Sequence, residues 1–183
     1  MNSPLVNDCK RVIILDTSAF LAGFDPFSMG EEQVTVPQVE EEIKRNSLVK
    51  VRFQTALENG KLKIKIPSKS FVIKAKSSAS KVGDSFKLSE ADMQLLALTL
   101  ELKAEGYTPQ LITDDYSIQN VATQLEIEFC ALATFGIKRL LEWVRYCPAC
   151  HREFPVDSTA KECRVCGTEL KRKPRRTVKK LNP

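Results

Sequence analysis

The sequence contains a single histidine, His151, which lies inside a group of cysteines near the C-terminus. The first 146 residues therefore hold no imidazole that could act as a general base. This scarcity excludes, for that part of the chain, the hydrolases in which histidine activates a serine or a water molecule. A hydrolytic site there would have to use carboxylates and bound cations instead.

Long hydrophobic stretches are also missing. No apolar run reaches the ~18 residues that a membrane-spanning helix needs, and the N-terminal residues lack the pattern of a secretory signal peptide. The 183 residues, of which 43% are hydrophobic, suffice for one full globular domain and a small appendage. There is no internal repeat. We expect a soluble, intracellular, cytoplasmic protein without a membrane partner.

Four of the six cysteines form two Cys-x-x-Cys pairs separated by 12 residues. In a chain without a secretory signal, such pairs are typical of metal ligands rather than disulfides. The spacing predicts a zinc ribbon over residues 147–168. Four thiolates would close the shell of a structural Zn²⁺, which supplies folding energy that so few residues cannot obtain from burial. The predicted ligands are Cys147, Cys150, Cys163 and Cys166, and His151 is expected at the surface.

Charge is distributed unevenly along the chain. Residues 1–146 hold 18 Lys/Arg against 19 Asp/Glu, a net of −1, whereas residues 147–183 hold 10 against 4, a net of +6. Residues 169–183 are predicted to be a disordered basic tail that contacts RNA phosphates, with a solubilising tail as the alternative. The predicted RNA-binding residues are Lys171, Arg172, Lys173, Arg175, Arg176, Lys179 and Lys180.

Strand and helix patterns alternate over residues 11–135. Alternation of this kind favours an α/β fold, a three-layer sandwich with a mostly parallel central sheet. The Lys/Ser-rich residues 69–87 are predicted to be a mobile loop, and residues 136–146 a connecting amphipathic helix. Strands are predicted at 11–15, 34–36, 61–66, 111–113 and 127–130, and helices from Ala19, from Pro37, over 89–103 and over 116–125.

Acidic residues occur where predicted strands end or helices begin. Asp16 follows the first strand, the pair Asp114 and Asp115 follows the strand at 111–113, and Asp92 lies near the start of the longest helix. The carboxyl ends of parallel strands share one edge of a sheet. Carboxylates gathered at that edge repel one another unless a cation lies among them. The pattern predicts a site of oxygen ligands suited to Mg²⁺ or Mn²⁺.

Each of these acids also has a purely structural interpretation. Asp16 and Asp115 could cap the helices that follow them. Asp92 stands three residues after Ser89, the spacing of a capping box. The four structural interpretations must hold independently, whereas one metal site explains the whole set.

Glu42 belongs to the same set and lies in an acidic run, which is usually a solvated helix face. Glu40 and Glu41 each have a basic residue four positions later, the favourable spacing for a helical ion pair. The residue four positions after Glu42 is Asn46. Glu42 also flanks the apolar face of its helix, so we expect it to point toward the sheet.

Four segments, in this order, resemble the motifs of PIN-domain ribonucleases. They are Leu-Asp-Thr-Ser-Ala-Phe at 15–20, Val-Pro-Gln-Val-Glu-Glu-Glu-Ile at 36–43, Leu-Ser-Glu-Ala-Asp at 88–92 with Leu-Leu-Ala-Leu at 95–98, and Ile-Thr-Asp-Asp-Tyr at 112–116. The resemblance implies an α/β/α sandwich whose acids hold Mg²⁺ or Mn²⁺ and hydrolyse single-stranded RNA. Water would be the nucleophile, leaving a 5′-phosphate and a 3′-hydroxyl.

The resemblance also implies roles for individual acids. The functional set would be Asp16, Glu42, Asp92, Asp114 and Asp115, and the metal ligands would be Asp16, Asp92 and Asp115. Asp115 occupies the usual fourth place in the motif, while many members carry a neutral residue where Asp114 stands. Which member of this pair coordinates metal stays open from the sequence.

The combination of a PIN-like body, a four-cysteine ribbon and a basic C-terminus resembles the archaeal ribosome-assembly endonucleases that mature the 3′ end of small-subunit ribosomal RNA. That resemblance implies precursor small-subunit rRNA in the pre-ribosomal small subunit as the partner. One rival hypothesis is a non-catalytic PIN and zinc-ribbon assembly factor. Another is a phospho-accepting receiver domain, although its acidic pair normally follows the first strand.

Overall fold

The computed structural model describes residues 10–44, 47–82, 87–134, 139–154 and 160–180, and for residues 47, 82, 139–142 and 175–180 it describes the backbone. Strands and helices alternate along most of the chain, as the sequence predicts. The elements are β1 (Arg11–Leu15), α1 (Thr17–Leu21), β2 (Glu32–Thr35), α2 (Pro37–Ile43), α3 (Ser47–Glu58), β3 (Leu62–Ile64), α4 (Lys69–Val82), α5 (Glu90–Ala104), β4 (Thr108–Ile112), α6 (Tyr116–Gln124), β5 (Glu128–Cys130), β6 (Arg139–Tyr146), β7 (Glu153–Phe154) and β8 (Lys171–Lys180).

The first five strands form one parallel sheet in the order β3-β2-β1-β4-β5. Its central strand is β1, in which the four residues from Val12 to Leu15 are fully buried. A strand covered on both faces reads as a continuous apolar run rather than an alternating one. The predicted α/β fold with a parallel central sheet is confirmed.

The strand order creates a crevice beside β1. The chain builds β2 and β3 on one side of β1 and then returns to place β4 and β5 on the other side. Connections that leave neighbouring strands in opposite directions open a crevice at the carboxyl ends, where ligands bind in such folds. Asp16 follows β1 and Thr113 follows β4, so both lie at this crevice.

Helix α5 is the central helix of the core and begins where the capping residue Ser89 predicts. Eight of its residues are buried, among them Leu95 and Leu96. Gly106, with a φ of 89°, lies just beyond its end in the left-handed conformation that glycine adopts without strain. Within the described residues, no helix is long and apolar enough to cross a membrane.

The prediction of a mobile loop over residues 69–87 is wrong for most of that range. Residues 69–82 form helix α4, and residues 83–86 lie outside the described part of the chain. The helix buries Ala75 and Ala79, which are spaced one turn apart. The signal was missed because the core-facing residues are mostly small, so the periodicity is weak among the lysines and serines.

The predictions for the C-terminal segments are also wrong in part. Residues 139–146 form strand β6 instead of a connecting helix, and residues 171–180 form strand β8 instead of a disordered tail. The two strands pair antiparallel, and β7 lies on the other side of β6. Pro174, which cannot donate a backbone hydrogen bond, pairs with Trp143 next to a register shift that tolerates it.

A physical reason for the error lies in β6 itself. Apolar residues at 140, 141 and 144 fit a helical repeat, which made a helix plausible. However, Trp143, Val144 and Tyr146 are residue types that fit a pleated strand, and the backbone of β8 supplies their pairing partner. Charge alone could not reveal this long-range pairing.

Glu32 at the start of β2 is held by three lysines. Its carboxylate lies 3.0 Å from Nζ of Lys10, 3.1 Å from Nζ of Lys63 and 3.6 Å from Nζ of Lys65. The hydrogen bond from Lys10, followed by that from Lys63, lowers the pKa of Glu32 to about 2. This cluster ties β2 and β3 to the residue that precedes β1.

We expect Glu32→Gln to lower the free energy of unfolding at pH 7 by about 2 kcal/mol, a value that allows for the exposure of the lysines. Because the folded pKa is depressed, the contribution is present above the unfolded value of 4.5. It is lost as the pH falls toward 2. Urea unfolding at pH 7 and pH 2.5 checks this.

The matched control for that measurement is Glu128→Gln, since Glu128 forms one exposed ion pair, 3.2 Å from Arg11. It should cost less than 1 kcal/mol at pH 7. Equal effects of the two variants at pH 7, or a Glu32→Gln effect that persists at pH 2.5, would contradict the assignment.

Candidate active site

Asp16 is the most buried of the predicted site acids, with 6% of its surface exposed. Its Oδ1 accepts a hydrogen bond from the Thr17 amide at 2.6 Å. Its Oδ2 accepts from the hydroxyls of Ser18 at 2.7 Å and Thr113 at 2.8 Å. The carboxylate is thus held rigidly at the carboxyl end of β1, with one lone pair of Oδ1 unused by these contacts.

Burial is the largest cause that raises the pKa of Asp16 above its ordinary value. The hydrogen bonds from Ser18, Thr113 and Thr17 oppose this rise, and the negative charge of Glu42 adds to it. The folded protein therefore holds this carboxylate in surroundings that disfavour its charge. A cation beside it would reverse that preference.

Thr113 connects Asp16 to the next acid. Its fully buried hydroxyl donates to Asp16 and accepts a hydrogen bond from the Asp115 amide at 3.1 Å. Oδ1 of Asp115 caps α6 by accepting from the amides of Ser117 and Ile118. Among the described residues, Oδ2 of Asp115 receives no hydrogen bond, so this oxygen is available to a ligand.

Asp92 lies on the first turn of α5 and forms a complete capping box with Ser89. Its Oδ2 accepts from the Ser89 amide at 2.7 Å. Burial, with smaller contributions from the charges of Asp16 and Asp115, raises the pKa of Asp92 to about 6 despite that hydrogen bond. The mutual repulsion shows that α5 brings this carboxylate to the same crevice.

Glu42 is exposed on α2, and its Oε2 accepts a hydrogen bond from the Thr17 hydroxyl at 2.5 Å. Thr17 thereby links Glu42 to Asp16, because the amide of the same residue donates to Asp16. Glu40, by contrast, pairs with Lys44 at 3.6 Å as the spacing predicts. The predicted partner of Glu41, Arg45, lies outside the described residues.

Asp114 serves another purpose. Oδ1 accepts hydrogen bonds from the amides of Leu132, Ala133 and Thr134 and from the Thr134 hydroxyl. Burial by itself would raise the pKa of Asp114, but these hydrogen-bond donors outweigh burial and lower that pKa. The structure thus brings Asp16, Glu42, Asp92 and Asp115 together and directs Asp114 to the segment that follows β5.

No Lys or Arg in the described part of the chain forms an ion pair with the four gathered acids. Their oxygens are more widely spaced than the cysteine sulfurs. Histidine, cysteine, aspartate and glutamate can all bind a metal ion. Among the described residues of these types, only the four cysteines form a group of three or more whose ligand atoms all lie within 4.8 Å of one another. An all-oxygen set of this openness fits a divalent cation that keeps water ligands, as Mg²⁺ does.

The four cysteine sulfurs of the C-terminal region lie close together. Cys147 Sγ is 3.4 Å from Cys166 Sγ, and Cys150 Sγ is 3.5 Å from Cys163 Sγ. Disulfide sulfurs would be ~2.05 Å apart, whereas ligands at ~2.3 Å from one tetrahedral zinc are ~3.8 Å apart. The cluster therefore fits a zinc ribbon.

The surroundings of two sulfurs favour the thiolate that zinc requires. The hydrogen bond from the Cys150 amide lowers the pKa of Cys147. The hydrogen bond with the Thr168 hydroxyl lowers the pKa of Cys166 to about 6. The pKa of Cys150 behaves differently. The hydrogen bond from the Arg152 amide lowers this pKa, but burial and the neighbouring thiols raise it to about 11.

Among the relatives that comparison with known proteins gives, three archaeal proteins match nearly the whole chain. Endoribonuclease Nob1 of Methanocaldococcus jannaschii is 38% identical over 89% of this chain and 78% of its own length. The proteins of that name from Methanothermobacter thermautotrophicus and Pyrococcus abyssi are each 36% identical, over 89% and 91% of this chain and 93% and 96% of their own lengths. The chain belongs to the Nob1 endoribonuclease family.

The family model for the PIN domain of ribonuclease matches residues 13–102. This range contains Asp16, Glu42 and Asp92, and it runs from β1 to the end of the core helix α5. The sequence resemblance to PIN-domain ribonucleases is thereby confirmed. Membership in the Nob1 family places the protein among endoribonucleases, and a four-cysteine cluster of the zinc-ribbon type accompanies its PIN domain.

Sequence reasoning missed the hydroxyl residues that hold these acids. Thr113 connects the segments that follow β1 and β4 through its hydrogen bond to Asp16. The Ser18 hydroxyl connects the same two segments by accepting a hydrogen bond from the Asp114 amide at 3.0 Å. Thr17 bridges to α2. A signal was present in the sequence, because Thr113 directly precedes the acidic pair and Thr17 and Ser18 directly follow Asp16.

The two Cys-x-x-Cys loops have matching backbone geometry. The amide of His151 donates to the Cys147 carbonyl at 2.9 Å, and the amide of Gly167 donates to the Cys163 carbonyl at 2.8 Å. Both residues have positive φ, 58° for His151 and 72° for Gly167. His151 therefore occupies a position that favours glycine, and its exposed side chain agrees with the predicted surface position.

We expect His151→Gly to keep one zinc per protein and to raise the stability of the ribbon by about 1 kcal/mol, because glycine adopts positive φ without strain. Gly167→Ala, the matched change in the other loop, should lower it by a similar amount. Zinc content by elemental analysis and chelator-induced unfolding check both. Loss of zinc from His151→Gly would instead identify the imidazole as a ligand.

The predicted RNA-binding residues lie on β8 or at its start. Lys171 is exposed, the Arg172 guanidinium lies 3.9 Å from the centre of the Trp143 ring, and Lys173 pairs with Glu153 at 2.9 Å. Arg175, Arg176, Lys179 and Lys180 belong to the same strand by their backbone, and their side chains fall outside the described part. Two of the three described cations thus already have intramolecular partners.

Proposed function

We propose that the protein is a divalent-metal-dependent endoribonuclease that cleaves single-stranded precursor RNA. The observation that carries this proposal is the group of Asp16, Asp92 and Asp115 at the crevice between β1 and β4. Burial raises the pKa of Asp16 and Asp92, and the described residues supply no cation to compensate them. Simple helix caps require neither burial nor mutual repulsion.

Asp16, Asp92 and Asp115 are the residues that would hold Mg²⁺ or Mn²⁺. When bound, such a cation lowers the pKa of coordinated water and neutralises charge on a phosphate. The chain's own contribution is orientation. Thr113 and Ser18 fix the Asp16 carboxylate, α5 and α6 present Asp92 and Asp115, and Glu42 is positioned through Thr17 to interact with water or RNA at the open side.

Water is the proposed nucleophile, since the chain's single histidine is not among the residues that hold the gathered acids and is not assigned the role of deprotonating the RNA 2′-hydroxyl. His151 belongs to the cysteine cluster. Hydrolysis by water breaks the bond between phosphorus and the 3′-oxygen, so the products carry a 5′-phosphate and a 3′-hydroxyl. Attack by the 2′-hydroxyl would leave a 2′,3′-cyclic phosphate instead.

The proposed substrate is precursor small-subunit rRNA, cleaved at its 3′ end in the pre-ribosomal small subunit of the cytoplasm. The sequence resemblance to ribosome-assembly endonucleases supports this choice. The basic strand β8 supports binding of a polyanion in general. We also propose that residues 147–168 hold Zn²⁺ as a structural ion, because four thiolates leave no open position for substrate.

The test is incubation of the full-length protein with an RNA that spans the small-subunit 3′ boundary, in Mn²⁺, Mg²⁺ or EDTA, followed by product mapping. We expect one dominant cut at the boundary that requires the divalent ion. Cuts scattered along the RNA would contradict the rRNA assignment. Tight binding without cleavage would favour the non-catalytic assembly factor.

A further inference from the structure

A groove of about 510 Å³ lies between α4 and the start of α5. One residue links the groove to the acid cluster, because Ser89 lines the groove and its amide donates to Asp92 at 2.7 Å. This volume is within the range of small-ligand sites. Its lining residues are Val72, Lys76, Ser80, Leu88, Ser89, Glu90, Met93 and Gln94.

The lining of the groove combines apolar and polar side chains. Val72, Leu88 and Met93 supply apolar surface, and the Met93 thioether is a group that packs well against aromatic rings. Side chains able to exchange hydrogen bonds are those of Ser80, Ser89 and Gln94. A flat ring with a polar edge, such as a nucleobase, matches this combination better than a purely apolar or a purely ionic ligand.

Charge indicates which part of a nucleotide lies where. Helix α4 carries four lysines and no acid, and Lys76 is the lysine that lines the groove. Within the described residues, none of the four forms an ion pair. Glu90 disfavours a phosphate inside the groove but can accept a hydrogen bond from a base amino group. The phosphate therefore belongs at the Lys76 rim.

We propose that this groove holds one unstacked base of the RNA strand next to the scissile phosphate, while Lys76 contacts the phosphate of that nucleotide. The proposal rests on the proposed function, because it takes the neighbouring acids as the site of cleavage. It adds a subsite that recognises single-stranded RNA, since a base can enter the groove only when it is unpaired and unstacked.

The phosphate contact is tested with Lys76→Gln against Lys74→Gln, a lysine of the same helix that does not line the groove. Binding of a short single-stranded RNA is measured without added Mg²⁺ or Mn²⁺ and without a chelator, so that the ribbon keeps its zinc and the RNA stays uncleaved. We expect Lys76→Gln to weaken binding 5- to 10-fold and to flatten the log K against log salt slope by ~0.7. Lys74→Gln should change affinity less than 2-fold.

The base contact is tested by filling the groove with Ser80→Trp, with Ser77→Trp on the exposed face of α4 as its control. An abasic nucleotide beside the scissile phosphate should weaken wild-type binding ~5- to 100-fold, the range of one base stack. Ser80→Trp should lower affinity and abolish that abasic effect, while Ser77→Trp preserves both. Circular dichroism verifies that each variant is folded. If Ser80→Trp does not fold, Gln94→Leu replaces it in the experiment.

The outcomes separate this inference from the proposed function. If the wild-type protein shows the groove pattern of binding yet never cleaves RNA, the proposed function fails, and the groove remains as a base-binding site without a scissile phosphate beside it. If it cleaves RNA while each groove variant matches its control, the groove inference is overturned. Absence of RNA binding by the wild-type protein overturns the groove inference as well.

Discussion

Asp16→Asn is expected to lower the rate of RNA cleavage on the order of 100-fold or more while leaving the fold intact. The amide keeps the size of the side chain and one oxygen that accepts from Ser18 and Thr113, while its NH₂ group cannot accept from the Thr17 amide. It removes the charge that a divalent cation requires. Single-turnover cleavage at saturating Mn²⁺ measures the rate, and circular dichroism measures the fold.

Stability gives an independent view of the same substitution. Because burial raises the pKa of Asp16, the charged form destabilises the metal-free folded state at neutral pH. Relief of the buried charge offsets the hydrogen bond lost from the Thr17 amide, so the variant should unfold at a similar urea concentration without added Mn²⁺. It should lose the stabilisation that Mn²⁺ gives the wild type.

The matched control is Asp25→Asn. Asp25 also caps a helical turn, accepting from the Phe27 amide at 3.0 Å, but it lies outside the acid cluster. It should cleave RNA at the wild-type rate. If Asp16→Asn cleaved normally, or merely unfolded, Asp16 would be a structural cap and the metal-site hypothesis would be wrong.

Combining Cys147→Ser with Cys163→Ser is expected to remove zinc completely and unfold the ribbon. Structural zinc in such modules supplies ~10–16 kcal/mol of apparent binding free energy. The ribbon, residues 147–168, is too short to obtain a comparable free energy from burial of apolar side chains. Elemental analysis gives the zinc content. Limited proteolysis should show new cleavage in the ribbon while the region 11–130 remains resistant.

The same double variant should leave the parallel sheet folded, since the core around β1 contains none of the four cysteines. Mn²⁺ should still raise its thermal stability. Cys130→Ser, at a half-buried cysteine outside the cluster, is the control and should retain one zinc. Purified wild-type protein that contains no zinc would refute the ribbon assignment.

The parallel sheet was predictable because its strands carry local signals. The run from Val12 to Leu15 reads as a buried strand without reference to any other segment, and the same holds for the strand that ends at Ile112. Strand register, in contrast, depends on partners far along the sequence. The pairing of β6 with β8 was missed for that reason, since the basic residues of β8 give no hydrophobic pattern.

The acids of the site were predictable individually, but their arrangement was not. Motif order selected Asp16, Glu42, Asp92 and Asp115 as candidates, and their functional roles stay a prediction. The sequence could not show that Asp114 turns to the amides of residues 132–134, because that contact needs β5 beside β4. Thr113 directly precedes the acidic pair in the sequence, but its hydrogen bond to Asp16 needs β4 beside β1, which the sequence alone does not show.

The most direct test of the account is the end-group chemistry of cleavage as a function of the divalent ion. A defined single-stranded RNA is incubated with wild-type protein or Asp16→Asn across a Mn²⁺ titration, and the product ends are identified by mass spectrometry. We predict products with a 5′-phosphate and a 3′-hydroxyl, at a rate that saturates with Mn²⁺ and is absent in EDTA and in the variant. Cleavage that persists in EDTA, or products ending in a 2′,3′-cyclic phosphate, would contradict a metal-dependent hydrolytic site built from these acids.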